Sequence, residues 1–182
     1  MNMYLIGYRC TGKTTLGKAL ARRLGRPFID MDDAIVEQEQ CSIAHMVARH
    51  GWPYFRAKEH ALLQALAGQQ AHVIGTGGGV ILDPRNIAAM RAGGRVVWLR
   101  CRPETIHRLI CKDQRSADFR PPLTDKDPAA EIAETLQARE PLYRAARDVE
   151  VDTDDFDVGR LCEEIIEKLS ALGGFDLSTE NE

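Results

Sequence analysis

Short apolar runs alternate along the chain with longer stretches whose apolar residues recur at helical spacing. Met3-Tyr4-Leu5-Ile6 reads as a buried strand, and Leu16, Leu20 and Leu24 mark one face of a helix starting at Lys13. Arg26-Pro27-Phe28-Ile29-Asp30 reads as a second short strand. Helices are expected over Ser42–His50 and Tyr54–Ala67, followed by a buried strand, His72-Val73-Ile74-Gly75-Thr76, that runs into Gly77-Gly78-Gly79. A helix over Arg85–Arg91 stops at Gly93-Gly94, Val96-Val97-Trp98-Leu99 forms the next strand, and Pro103 opens another helix in its first turn. A helix over Ala129–Ala146, a strand at Val149-Glu150-Val151 and a helix over Val158–Leu172 complete the series. This alternation predicts an α/β fold, a five-stranded parallel sheet sandwiched between two helical layers. Asp113–Asp127 is polar, carries Pro121-Pro122 and lacks periodicity over a length unusual for a loop in a compact domain. Phe175–Glu182, after Gly173-Gly174, is polar and acidic and reads as a loose end. One domain over residues 1–172, with 173–182 as a flexible tail, is the expected organisation.

Composition narrows the class only a little. A chain of 182 residues can bury roughly 70% of the surface its unfolded form exposes, enough for one core. Its formal charge of −3 offers no basic field to nucleic acid, and neither that partner nor a membrane is expected. Cys10, Cys41, Cys101, Cys111 and Cys162 are scattered, without the spacing of a metal knuckle or redox pair, so reduced thiols in a cytoplasmic protein are expected. The chain enters a strand at once, and no stretch reads as an export signal or membrane span.

Gly7-Tyr8-Arg9-Cys10-Thr11-Gly12-Lys13-Thr14 changes the picture. It spells a complete phosphate-binding loop between a strand and a helix, where backbone N–H groups and the helix dipole converge on an anion. Lys13 is expected to reach the β- and γ-phosphates, and the Thr14 hydroxyl to hold a magnesium ion. Cys10, Thr11, Gly12, Lys13, Thr14 and Thr15 are the expected contacts to a nucleoside triphosphate. The Asn-Lys-x-Asp element of guanine readers is missing, as is the long apolar strand ending in paired acids found in motor ATPases. Instead the second strand ends in Asp30-Met31-Asp32. Residues two apart on a strand point the same way, so both carboxylates are expected to face the phosphates, one serving the metal through water and the other an acceptor hydroxyl. The competing reading is an acidic helix start with Asp32 or Asp33 as N-cap. Arg56 and Arg139 point to an anionic acceptor, because a guanidinium fork holds a carboxylate in one orientation. Gly77, Gly78 and Gly79 allow backbone to approach a ligand closely.

Taken together these elements resemble the shikimate kinase family, small P-loop kinases of the nucleoside monophosphate kinase fold. The matching segments are the P-loop, Phe28-Ile29-Asp30-Met31-Asp32, Phe55-Arg56, Gly75-Thr76-Gly77-Gly78-Gly79, Phe119-Arg120-Pro121-Pro122-Leu123, Arg139-Glu140-Pro141-Leu142-Tyr143 and Val151-Asp152-Thr153, in order over nearly the whole chain. The resemblance implies transfer of the γ-phosphate of ATP to shikimate, with Mg2+ held by Thr14 and, through water, by Asp30. It implies that Asp32 meets the acceptor hydroxyls as orienter or general base, and that Arg56, Arg139 and the Gly78 backbone hold the shikimate carboxylate. Lys13 and Arg120 would offset the charge of the transferring phosphate, Arg120 from a mobile lid at about 113–127. A monomer is the expected state.

The sequence also departs from that family. A glycine usually stands where this chain has Cys10. If the position needed φ above zero, a Cβ would cost about 1 kcal/mol. The general motif leaves the position free, and an ordinary L-residue conformation is therefore expected. Arg115 is the nearest candidate for a basic residue stacked on the adenine, and Asp154-Asp155-Phe156-Asp157 makes the adenine-side loop unusually acidic. The alternatives within the fold are a gluconate or nucleoside monophosphate kinase, and outside enzymes a nucleotide-binding regulator. A nucleotide acceptor would want more arginines than Arg56 and Arg139. A regulator would be expected to have lost one of Lys13, Thr14, Asp30, Asp32, Arg56, Arg120 or Arg139, all of which are present.

Overall fold

In the computed structural model, residues 1–112 and 127–173 are described; Arg115, Arg120, most of the proposed lid and most of the proposed tail lie outside them. A five-stranded, all-parallel sheet runs through the middle in the order β2-β3-β1-β4-β5. Its strands are β1 (Asn2–Ile6), β2 (Phe28–Asp30), β3 (Val73–Gly75), β4 (Gly94–Arg100) and β5 (Val149–Asp152). Side-chain alternation explains why it is buried twice. Tyr4 and Ile6 of β1 join Val96 and Trp98 of β4 in one core, while Met3 and Leu5 join Val97 and Leu99 in the other. Parallel strands covered on both faces read as continuous apolar runs, which is how β1 and β4 are spelled.

The helices among the described residues are α1 (Lys13–Arg23), α2 (Met31–Glu39), α3 (Ile43–Ala67), α4 (Pro84–Gly93), α5 (Pro103–Lys112), α6 (Pro128–Ala146) and α7 (Val158–Ala171). Helices α1 and α7 cover the Met3–Leu5 face; α2, α3, α4 and the end of α6 cover the other. The two segments expected at 42–50 and 54–67 are the two arms of α3. They meet at Gly51, whose φ of 79° and ψ of 167° break the helix, and Pro53 follows in the next turn. Helix α2 stands where the competing reading placed an acidic helix start. Met31 and Ile35 are fully buried, but a single buried turn and a half has too few apolar repeats to stand out in a sequence.

The sheet places the carboxyl ends of β1, β2 and β3 at one edge, where the chain leaves the strands as the P-loop, the Asp30 junction and the Gly77–Gly79 turn. Order reverses at β1, whose neighbours β3 and β4 lie on opposite sides, and ligands of open α/β sheets bind beyond such a point.

Candidate active site

The P-loop starts where β1 ends and closes against the first turn of α1. Gly12 takes φ 92° as the N-cap of that helix, with no side-chain cap, so the helix start leaves its N–H groups directed outward. Thr11 turns inward instead: it is 2% exposed and its hydroxyl donates to the Tyr8 carbonyl at 2.9 Å. Its side chain braces the loop, leaving only its backbone for a phosphate. Lys13 Nζ donates to the carbonyls of Gly7 at 2.9 Å and Tyr8 at 2.6 Å. Cys10 does not take the ordinary conformation expected of it. Its φ is 63°, in the left-handed region, so the chain carries a Cβ where strain of about 1 kcal/mol results. The braces from Thr11 and Lys13 on the preceding carbonyls hold the loop in that shape.

Asp30 and Asp32 reach the site by a different route from the one their spacing suggested. Strand β2 ends at Asp30, which is the N-cap of α2, and Asp32 stands in the first helical turn. The acidic helix start is therefore real, but neither Asp32 nor Asp33 is its cap. Asp30 Oδ1 accepts from the Asp32 N–H at 3.1 Å, and its Oδ2 accepts from the Thr14 hydroxyl at 2.7 Å. One carboxylate thus fixes the helix that carries Asp32 and meets the P-loop threonine. Asp32 Oδ1 in turn abuts Gly77.

A cavity of about 350 Å³ opens among these groups. Cys10, Gly12, Lys13, Thr14 and Thr15 of the P-loop and α1 line it, with Asp30 and Asp32. Arg56, Gly77, Gly78, Gly79 and Arg139 line it too. Every expected site residue within the described part, apart from Thr11, borders this one space. Arg115 and Arg120 lie outside the described residues.

Arg56 is held from three sides. Its Nη1 meets Glu59 Oε2 at 2.5 Å, its guanidinium carbon lies 5.2 Å from the Trp52 ring centre, and the fork presses on Gly79 so closely that a Cβ there would overlap it. Glu59 is fully buried, and burial pushes its carboxyl above the usual range against the pull of Arg56 and Arg139. Among the described residues its Oε1 has no hydrogen-bond partner, and it would overlap a Cβ on Gly77. The sequence signal for Glu59 is its i,i+3 spacing to Arg56 on an apolar helix. Arg139 Nη1 donates to the Gly78 carbonyl at 3.2 Å, and Tyr143 Oη donates to the same oxygen at 2.5 Å. Tyr143, buried and stacked 5.8 Å from Trp98, is raised by that burial and stays a neutral donor.

The acidic adenine-side loop is less open than its spelling suggests. Burial alone would raise the Asp154 carboxyl, but hydrogen bonds from the Arg102 N–H, Thr105, Cys101 and the Arg102 side chain outweigh it and hold it at about 2. Asp154 thereby fastens the start of α5. The Phe156 ring, 42% exposed, packs on Gly12 of the P-loop.

Comparison with known proteins agrees with this geometry. A family model described as shikimate kinase matches residues 9–170. A shikimate kinase of Syntrophus aciditrophicus is 40% identical, over 93% of this chain and 91% of its own. One from Caldanaerobacter subterraneus is 40% identical over 95% of this chain and 98% of its own. Among solved structures, the shikimate kinase of Acinetobacter baumannii in complex with shikimate superposes with a TM-score of 0.87 at 30% identity, covering 96% of this chain and 95% of that one.

Proposed function

We infer the chemistry from one premise: the chain belongs to the shikimate kinase family. It transfers the γ-phosphate of ATP to a hydroxyl of shikimate, giving shikimate 3-phosphate. Family membership decides against the gluconate, nucleotide and regulator alternatives. The residue roles are our proposal, and the observation that carries it is the convergence of Lys13, Asp32, Arg56 and Arg139 on one cavity.

The reaction needs a divalent ion, and we propose Mg2+. Thr14 Oγ1 and Asp30 Oδ2, 2.7 Å apart, are hard oxygen donors that suit it. Among the described residues no cluster of three or more His, Cys, Asp or Glu could hold a metal, which fits an ion carried mainly by phosphate oxygens and water. Mg2+ supplies charge neutralisation across the β- and γ-phosphates. Lys13 and the N–H groups of the P-loop and α1 hold the triphosphate. Asp32 accepts from the acceptor hydroxyl and lines it up with the γ-phosphorus; a loose transition state asks for alignment more than for early deprotonation. Arg56 and Arg139, with the Gly78 backbone, hold the carboxylate at the other end of the ring. Arg115 and Arg120 are proposed on the resemblance alone, for adenine stacking and for charge on the transferring phosphate. Residues 1–172 are proposed as one catalytic domain working as a monomer.

The test is ADP release with ATP, assayed with and without shikimate and with Mg2+ added to metal-stripped protein. Release dependent on both is expected. Turnover unaffected by metal removal, or full activity in Thr14→Val with Asp30→Asn, would refute the metal assignment. A second expectation concerns Glu59. Glu59→Gln leaves the Arg56 fork without its anion, and the shikimate KM is expected to rise about tenfold with a smaller change in kcat. An unchanged KM would mean that Arg56 orients itself without Glu59.

A further inference from the structure

Arg9, the third residue of the P-loop, borders the cavity together with Tyr8 and forms an ion pair with Glu131 near the start of α6. Arg9 Nη2 meets Glu131 Oε1 at 2.5 Å, with the two side chains 16% and 3% exposed. The residue before it goes the same way. Tyr8 is 1% exposed and packs with Ile106 of α5 and Ile132 of α6, and the Arg9 guanidinium lies 5.7 Å from its ring centre. Consecutive P-loop residues thus anchor the N-terminal half of α6. The C-terminal half is tied down separately, by Tyr143 and Arg139 on the Gly78 carbonyl. Gly78 itself packs on the P-loop, where a Cβ would stand 3.3 Å from the Arg9 nitrogen. These contacts close a ring that runs from Arg9 to Glu131, along α6 to Arg139, across to Gly78 and back to Arg9. A buried pair with one partner missing is costly, which makes this link stiff.

We propose that the Arg9–Glu131 ion pair is a strut that sets the axial position of α6 against the P-loop, and so aims Arg139 at the acceptor's carboxylate. Glu131 lies roughly two helical turns, about 12 Å, before Arg139, and acts only through it. Both are positioning residues, and the inference rests on the reading of Arg139 as an acceptor ligand. The strut joins the phosphate site to the carboxylate site across the reaction's full length, so a shift of α6 moves one substrate's anchor relative to the other.

The readout is preference for a charged acceptor, the ratio of kcat/KM for shikimate to that for its uncharged methyl ester. A mere loss of stability lowers both values and leaves the ratio alone. Glu131→Gln is expected to cut the ratio about tenfold, with ATP KM changed little. Because that variant takes the Glu131 carboxylate away from a buried Arg9, Arg9→Met with Glu131→Leu serves beside it: apolar replacement of a whole buried pair commonly preserves folding, and the same loss of preference is expected. In an Arg139→Ala background, Glu131→Gln is expected to lower the ratio less than twofold further, as it must if it acts through that arginine. An unchanged ratio in the double apolar variant, or the same drop in both backgrounds, overturns the strut. If Arg139→Ala alone keeps the preference, the acceptor-site reading has failed, and the strut falls with it for that separate reason.

Discussion

Asp32→Asn is expected to bind ATP normally and to lose about 10²–10³ in kcat. The substitution keeps size and removes charge, so it spares the turn: Asp30, not Asp32, caps α2 and bonds the Asp32 N–H and Thr14. What it removes is the anionic oxygen that abuts Gly77 in the cavity that Lys13, Arg56 and Arg139 also line. An acceptor hydroxyl there needs an oxygen that accepts its hydrogen and aims its lone pair at phosphorus. An amide oxygen still accepts, more weakly, and cannot take the proton. The size of the loss therefore separates the two roles left open. A loss near 10² fits an orienter, and one of 10³ or more fits the loss of a proton acceptor as well. Near-normal turnover with intact ATP affinity would remove Asp32 from the acceptor site altogether. Asp33→Asn is the internal comparison, since Asp33 borders the same cavity from the next position and should change kcat far less.

That pair of acids also measures what could be read from the sequence. The P-loop was legible because its chemistry is local: glycines, lysine and threonine act through backbone and helix start within eight residues of one another. The sheet was legible because each strand is a separate apolar run, and the layered fold follows from their alternation with helices. Asp30 and Asp32 border one cavity, though not by the route their spacing suggested. Spacing of two suggested a strand, whereas the chain turns into α2 at Asp30 and brings both carboxylates to the cavity across a cap. Cys10 misled for a related reason. Side-chain type says which conformations cost least, but the loop's φ is set by braces from Thr11 and Lys13 that only the folded chain reveals. Glu59 offered only its i,i+3 spacing to Arg56, and the Arg9–Glu131 pair offered no local signal. Their meaning lies in burial and in partners on other elements, and an acidic residue on a helix ordinarily reads as a solvated face.

Lys13→Met is expected to lower kcat/KM for ATP by about 10²–10³, the cost of removing one charged donor from a preorganised site. Two jobs fall to this ammonium. Its Nζ donates to the Gly7 and Tyr8 carbonyls, so it braces the loop that Cys10 strains, and it borders the cavity where the phosphates are proposed to sit. Methionine keeps the length and apolar stem while removing every donor, which separates the two jobs by their readouts. Loss of the brace takes one donor each from the Gly7 and Tyr8 carbonyls, of which Tyr8 keeps the Thr11 hydroxyl, and is expected to lower stability by about 1–2 kcal/mol in denaturant unfolding. Loss of the phosphate contact shows only in ATP kinetics and binding, and should spare the affinity for shikimate alone, whose proposed anchors are Arg56 and Arg139. Lowered stability with normal ATP kinetics would make Lys13 a brace and nothing more. The reverse result would show that the loop holds its strained turn through Thr11 by itself. A fall in both, with shikimate affinity intact, is the outcome the geometry requires, because the carbonyls that Lys13 grips belong to the loop whose N–H groups must surround the phosphates.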